Sequence, residues 1–422
     1  MLNLRRLNVA KLQPVRGTHD RLPDDCRRHR AVVETFRSVA ESFGFGEIAT
    51  PIFEFTEVFK RTLGETSDVV SKEMYTFEDR SGEQLTLRPE YTAGIVRALI
   101  SGGLAQNLPL KLHAHGPMFR YERPQKGRLR QFHQIDVEIL GVPEAQADIE
   151  VIALAAQLLD RLGLTEKTVL EINSLGDRES RAAYRDALVA HFSSHRDRMS
   201  EDSQMRLERN PLRILDSKDE GDKALIAGAP MMADYLTDES KAFFAQVKTG
   251  LEALGIRFVE NQRLVRGLDY YTHTAFEFVT DALGAQGAVI AGGRYDGLVE
   301  HMGGPATAGI GWAGGIERLA MLIGDIEPDT RPIAVIPIGA EAQITALTLA
   351  CDLRRQGLKV DMGYRGNLGR RMKRANKLNA RYAVLIGEDE LANGTVTLRD
   401  LDSGDQSEVA MDALGARLSP DR

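Results

Sequence analysis

Between His113 and Gly141 the chain reads as two strands joined by a turn, and this hairpin limits what can be built around it. The turn, Pro124-Gln125-Lys126-Gly127-Arg128, has the Pro/Gly composition of a hairpin loop. Along a strand, successive side chains go to opposite faces. On the second strand Ile135, Val137 and Ile139 share an apolar face, which must meet a core. Phe132, Gln134, Asp136 and Glu138 share the other face. On the first strand Arg120 and Glu122 point the same way as Met118. The hairpin thus presents an arginine, a glutamine, carboxylates and one aromatic ring. Such a face is either solvated or the floor of a site, and the hairpin alone leaves both open.

A chain of 422 residues is too long for one ordinary domain, so two or three are expected. Hydrophobic residues make up 43% and charged residues 27%, the range of a soluble globular protein. Cys26 and Cys351 lie far apart and form no CxxC pair. That argues against a disulfide framework or a thiolate zinc site and suits a reducing cytosol. The net charge of −7 means that any nucleic-acid contact must use a local basic patch. No apolar run reaches membrane-spanning length. The start, MLNLRRLNVAKLQPVRGTH, lacks acids as a transit peptide does, but it is short and serine-free. A cytoplasmic location is the expectation.

Residues 21–43 carry Ala31, Val32, Phe36, Val39 and Phe43 at helical spacing, and Gly44 and Gly46 end that helix. A short strand, 47–51, and a loop-rich stretch, 53–77, follow. Residues 84–88 read as a strand broken at Pro89, and an apolar helix runs from Ala93 to Ile100. Thr92 is placed to cap that helix. Glu90, between strand end and helix start, is placed to bind an ammonium group. Beyond the hairpin come a helix at 145–163 and a strand at 169–173. A charged helical insertion then occupies about 178–254. The segments 263–271, 291–297 and 309–318 are glycine-bearing, compatible with turns or with close backbone approach. The last puts Arg318 near a helix start, where backbone N–H groups favour anions, but it matches neither a P-loop nor GxGxxG.

A linker at 327–332 leads into a βαβαβ rhythm, with strands at 333–338, 359–362, 382–386 and 395–398 and helices at 340–356 and 368–378. That predicts a small parallel-sheet domain. Its second helical region holds Arg365, Arg370, Arg371, Lys373, Arg374, Lys377 and Arg381 with no acid between, and Leu368, Met372 and Ala375 form the expected buried stripe. A solvated face and a phosphate-backbone footprint are both open readings.

Taken together, these stretches resemble the histidyl-tRNA synthetase family of class II aminoacyl-tRNA synthetases over essentially the whole chain. Residues 119–134 look like the second class II motif in its histidyl form, 309–318 like the third, and about 43–77 like the first, which in the family builds a dimer interface. Arg266-Gly-Leu-Asp-Tyr-Tyr271 is the most specific match, and Ala291-Gly-Gly-Arg-Tyr-Asp-Gly297 is similar to a second family signature. The resemblance implies a catalytic domain at 1–328, with an antiparallel sheet flanked by helices, and an anticodon-binding domain at 329–422. It implies ATP-dependent ligation of L-histidine to tRNA(His) through a histidyl-adenylate, in a cytoplasmic homodimer, with Mg2+ arriving on ATP and no resident metal.

The same resemblance implies roles. Arg120, Arg266 and Gln134 are the expected catalytic residues. Histidine would contact Glu90, Tyr91, Thr92, Arg120, Gln134, Glu138, Arg266, Tyr270 and Tyr271. ATP would contact Arg120, Glu122, Arg128, Phe132 and Arg318, with Phe132 on the adenine and Arg128 and Arg318 on the γ-phosphate. Arg365, Arg370, Arg371, Arg374 and Lys377 would meet tRNA. Tyr91, Leu129 and Asp136 depart from the usual family residues, so which acceptor-stem bases the 128–136 region reads stays open. The alternative is a non-catalytic regulatory paralogue of histidine biosynthesis. Such paralogues typically lose the Arg266 signature and the C-terminal domain, and this chain keeps both. Another class II synthetase, for threonine, proline or glycine, is disfavoured by Arg266–Tyr271 and Glu138.

Overall fold

The computed structural model describes residues 12–63, 69–125, 127–217, 219–266, 270–284, 287–326 and 330–419. The acid-free start, the 64–68 loop, Lys126, the middle of the Arg266–Tyr271 segment and part of the 327–332 linker lie outside them. The chain divides into two units, Met1–Ile326 and Glu327–Arg422.

The first unit is built on a sheet of eight strands: β1 (Gly46–Glu47), β5 (Leu110–Phe119), β6 (Gln131–Leu140), β7 (Val169–Ser174), β8 (Phe258–Glu260), β9 (Thr272–Val279), β10 (Ala288–Arg294) and β11 (Gly309–Gly315). Their spatial order is β1-β5-β6-β11-β10-β9-β7-β8. The centre is antiparallel, as expected, while the two edge pairs, β1 with β5 and β7 with β8, are parallel. The expected strand at 47–51 is only two residues of pairing, Gly46 and Glu47. A separate small sheet joins β2 (Phe53–Phe55), β3 (Tyr75–Glu78) and β4 (Gln84–Leu87).

The apolar side of the hairpin is where alternation puts it. Ile135, Val137 and Ile139 pack with Ile172, Phe276, Ile290 and Trp312 beneath the helices Pro23–Ser42 and Ala145–Arg161. The helical insertion leaves after β7 and returns before β8, and it has its own core, including Tyr184, Leu188, Phe192 and Met232. Its last helix, Asp238–Ala253, crosses Ala145–Arg161 at Gly250, where a Cβ would stand 2.2 Å from Ile149 Cδ1. Burying one apolar face of each helix and sheet is what stabilises this layering. Across the sheet's back, the fully buried pair Arg294–Asp148 ties β10 to that helix, with Arg294 Nε 3.0 Å from Asp148 Oδ2.

The second unit has the strands β12 (Ile333–Pro337), β13 (Val360–Met362), β14 (Tyr382–Ile386), β15 (Thr395–Asp400) and β16 (Gln406–Ala410) in the order β13-β12-β14-β15-β16. The first three are parallel, but β14–β15 and β15–β16 are antiparallel, so the sheet is mixed rather than all parallel. The physical reason is connection length. Only Leu401–Asp405 separates β15 from β16, too short for a parallel crossover.

Candidate active site

The polar face of the hairpin is buried under the segment that enters the helix Thr92–Ser101. On this face Glu138 lies level with Gly311 of β11, Gly293 of β10 and Ala275 of β9. Asp136 lies level with Ala313, Ala291 and Glu277, and Gln134 with Gly315. Two central strands therefore contribute almost no side chain, and their backbone forms a floor between Gln134–Glu138 on one side and Glu277 on the other. The glycines are required here. A Cβ on Gly311 would stand 1.7 Å from Glu138 Oε2, and one on Gly293 2.8 Å from the Tyr271 ring.

Three carboxyls line the deep end. Glu138, 1% exposed, accepts a 2.6 Å hydrogen bond from Thr92 Oγ1 and another from the Tyr295 hydroxyl. Burial pushes it up to about 7, with those two donors opposing. Glu90, 6% exposed, accepts from the Ala93 N–H at 2.7 Å, and burial raises it too. This corrects the capping expectation: the Glu90 carboxylate meets the helix N-terminus, while Thr92 turns its hydroxyl to Glu138. Asp136 is 1% exposed, and among the described residues no hydrogen-bond donor reaches either of its oxygens. The Gln134 carbonyl oxygen is likewise buried without a donor.

Aromatic rings wall this end. Tyr270 and Tyr271 have centroids 4.6 Å apart, and Tyr270 meets Tyr295 edge-on at 5.8 Å. Tyr91 differs from its expected role. Its hydroxyl donates to the His115 carbonyl at 2.6 Å, and the Arg88 guanidinium covers its ring at 4.2 Å, so its polar end is already engaged.

Arginines surround the other end. Arg120 follows β5, donates from Nε to the Pro89 carbonyl at 2.9 Å and lies 5.3 Å from the Phe132 ring centre. Arg128 pairs with Glu122 at 2.5 Å. Arg318, in the first turn of the helix Ile316–Ile323, donates to the carbonyls of Gly127 at 3.2 Å and Ala288 at 2.5 Å. Burial lowers the Arg318 pKa, and the nearby charges of Arg128 and Arg120 lower it further. Arg266 pairs with Glu277, and its guanidinium is 5.2 Å from the Tyr271 ring centre. Glu277 also acts on Arg318, which puts Arg120, Arg128 and the Arg266–Glu277 pair within electrostatic reach of it.

Behind this cleft, Glu317 accepts from the His133 backbone N–H at 2.9 Å, and its Oε1 lies 2.7 Å from His133 Nδ1. With His29 these form, among the described residues, a group with the donor atoms for a metal. Arg21 Nη2, however, sits 3.1 Å from His133 Nε2, an opposing positive charge.

Tyr295 and Glu317 were not among the candidates. Tyr295 lies in a quoted glycine-rich segment, but nothing there shows which of its polar residues points inward. In the second unit, Arg371 contradicts its expected exposure. It is buried and donates to the Pro337 carbonyl. Arg374 is paired with Asp361 at 2.9 and 3.1 Å. Arg365, Arg370, Lys373 and Lys377 remain exposed, beside Tyr364 at 75% exposure.

A sheet with an antiparallel centre, an arginine just past a central strand, a glycine floor and a helix-borne arginine is the catalytic body of a class II aminoacyl-tRNA synthetase. The family model for histidyl-tRNA synthetase matches residues 17–319, and one for an anticodon binding domain matches 332–419. A histidine–tRNA ligase of Rhodospirillum rubrum is 65% identical over 407 residues, 96% of this chain and 98% of that protein. One of Gluconacetobacter diazotrophicus is 57% identical over 97% of this chain and 99% of that one. The crystal structure of apo Staphylococcus aureus histidyl-tRNA synthetase is similar at a TM-score of 0.81 and 37% identity, covering 96% of this chain and 99% of that chain. The chain belongs to the histidyl-tRNA synthetase family.

Proposed function

We propose that the two ends of this cleft divide the work of a histidine–tRNA ligase. As a member of that family, the chain attaches histidine to tRNA(His) using ATP, and the regulatory-paralogue alternative is not favoured. The observation that carries the division of labour is the placement of buried carboxyls at one end of the glycine floor and Arg128 and Arg318 at the other, with Arg120 beside Glu90 and Arg266 beside Tyr271.

The histidine α-ammonium sits at Glu90, Thr92 and the unpartnered Gln134 oxygen. Glu138 takes one imidazole nitrogen and Tyr271 the other. Adenine stacks on Phe132, beside Glu122, and Arg128 and Arg318 hold the γ-phosphate. A carboxylate oxygen of histidine attacks the α-phosphorus, a P–O bond forms, and the bond to pyrophosphate breaks. Negative charge grows on the α-phosphate oxygens, and Arg120 and Arg266 meet it from two sides. Guanidinium suits this role because it stays charged and forks onto phosphate oxygens. The terminal ribose hydroxyl of tRNA then attacks the adenylate carbonyl, and AMP leaves.

Mg2+ travels with ATP. Glu122 and Glu277 are each already paired with an arginine, so the ion is held chiefly by phosphate oxygens. Residues 1–328 are the catalytic domain and 329–422 read the anticodon, with Arg365, Arg370, Lys373 and Lys377 as the free basic set. Arg371 and Arg374 have internal partners and act through the fold. The exposed Ile52, Phe53, Phe55 and Phe77 support a homodimer through the small sheet. Unpaired Cys26 and Cys351 support a cytosolic location. No helix among the described residues is long and apolar enough to cross a membrane.

The test separates the two ends. Arg318→Ala should raise the KM for ATP in pyrophosphate exchange while calorimetric histidine binding stays as it was, and Glu138→Gln should do the reverse. If both variants lose both ligands alike, the division is wrong. Removal of residues after 326 should spare adenylate formation and cripple tRNA charging. Equal loss of both would make the second unit a structural support.

A further inference from the structure

The buried carboxyls are more numerous than the groups available to satisfy them. Glu138 has the hydroxyls of Thr92 and Tyr295, and Glu90 has the Ala93 N–H. Asp136 has no donor among the described residues, although it is as deeply buried as Glu138 and two residues from it on the same strand face. The groups that face it are few. Glu138 is within hydrogen-bond reach on its own strand, and Glu90 approaches from the segment before the helix. Arg88 lies on the same side, but its guanidinium donates to the carbonyls of Pro117 at 2.9 Å and Thr50 at 2.8 Å and is stacked on Tyr91. Ala114 of β5 and Ala313 of β11, level with Asp136, bring no polar side chain. The phenols of Tyr271 and Tyr295 complete the surroundings through Glu138.

Three neighbouring carboxylates cannot all be charged in such a place. A buried charge without a partner is neutralised by taking up a proton, and two carboxyls in contact share one. The pair then consists of one carboxyl and one carboxylate, positioned where the ligand ring is placed by the site reading above, on which this inference rests.

We propose that Asp136 is a further specificity-determining residue: in the empty pocket it shares one proton with Glu138, and when histidine binds that proton passes to the substrate ring, which is then held as an imidazolium against the carboxylate pair. The step balances without a co-reactant. The O–H bond of the pair breaks, an N–H bond forms at the basic ring nitrogen, and that N–H faces the carboxylate pair while the other N–H donates to the Tyr271 hydroxyl oxygen. Free imidazole has a pKa near 6.5, so the transfer is driven by what it creates: a buried imidazolium against carboxylates that otherwise have no cation to offset them. Burial pushes Asp136 well above its ordinary range, and Glu138 adds to that. Selection follows. An amide or phenyl side chain cannot accept the proton and leaves the pair unrelieved, so the pocket tests basicity as well as shape.

The test uses the full-length protein with ring-labelled [15N2]histidine at pH 7.5. The bound ring should carry hydrogen on both nitrogens in the unmodified protein and on one in Asp136→Asn. Calorimetry should give a histidine Kd about 10- to 100-fold higher for that variant, the scale of one charge-assisted hydrogen bond. A neutral ring in the unmodified complex overturns the proposal, as does a Kd for Asp136→Asn within about twofold of the parent. Should the variant not fold, the spectrum of the unmodified complex decides alone. Glu138→Gln keeps the two readings apart. If it binds histidine as tightly as the parent, the whole pocket assignment falls. If it binds weakly while the parent holds a neutral ring, only the role of Asp136 falls.

Discussion

Removing one oxygen, by Tyr295→Phe, tests the deep end of the pocket. The Tyr295 ring is 1% exposed and packed against the backbone at Gly309, where even a Cβ would come within 2.2 Å of it, so phenylalanine keeps the ring's place. Only the donor to Glu138 Oε2 is lost, while Thr92 still donates to Oε1 at 2.6 Å. A hydrogen bond to a charged group contributes about 1.5–3 kcal/mol, and each 1.36 kcal/mol is tenfold, so kcat/KM for histidine should fall roughly 10- to 150-fold. The KM for ATP should stay within about twofold, because Tyr295 makes no contact with the arginine end. The pH profile adds a sign. Burial raises Glu138 and the two hydroxyls hold it down, so losing one lets it rise above about 7. The acid limb of the kcat/KM profile must therefore move to higher pH. Pyrophosphate exchange at varied histidine and pH measures both effects. An unchanged histidine KM, or an acid limb that stays or moves down, refutes the coupling of Tyr295 to the ligand through Glu138.

Other expectations concern charge. Arg266→Ala should slow adenylate formation by about 10²–10³-fold at saturating histidine, the scale of one preorganised partner; an unchanged rate removes Arg266 from the chemistry. Asp148→Ala leaves the buried Arg294 guanidinium with Asp296 and the carbonyls of Val142 and Glu144, and should cost about 1.5–3 kcal/mol in urea unfolding of the first unit, with a loss below about 0.5 kcal/mol counting against the pair. Burial pushes Asp222 up, but the hydroxyls of Ser200, Ser203 and Ser217 outweigh it and hold the carboxyl at about 2. Its folded value is depressed, so its contribution is whole above the ordinary 3.8 and fades as pH falls toward about 2. Hydrogen exchange across residues 178–254 should show this acid loss, and Asp222→Asn should abolish that component.

What could be read ahead of the structure was periodic. The alternation of Ile135, Val137 and Ile139 against Gln134, Asp136 and Glu138 placed one face in the core because alternation is a property of the strand itself. That the polar face is roofed depends on the helix Thr92–Ser101, some 40 residues earlier in the chain, which no local pattern encodes. Glu90 and Thr92 both suit a helix start, and only the 2.7 Å bond to Ala93 decides between them. On the basic helix Ala375 is buried and Met372 packs beside it as expected, but Leu368 is exposed and Arg371 is buried. An arginine's long apolar stem can cover a core when its tip finds a carbonyl, as it does at Pro337. β16 was missed because Gln-Ser-Glu-Val-Ala is too polar to look like a strand, although β15 supplies its hydrogen bonds.

The two hydrogen bonds between Glu317 and His133 join two stretches that the proposed reading sets against different ligands. His133 sits between Phe132 and Gln134, and Glu317 immediately precedes Arg318. On that reading, the parts proposed to grip nucleotide and amino acid are fastened through one knot on the far side of the sheet. Loosening that knot would show as two affinities drifting together, a signature that damage to either rim of the cleft cannot imitate.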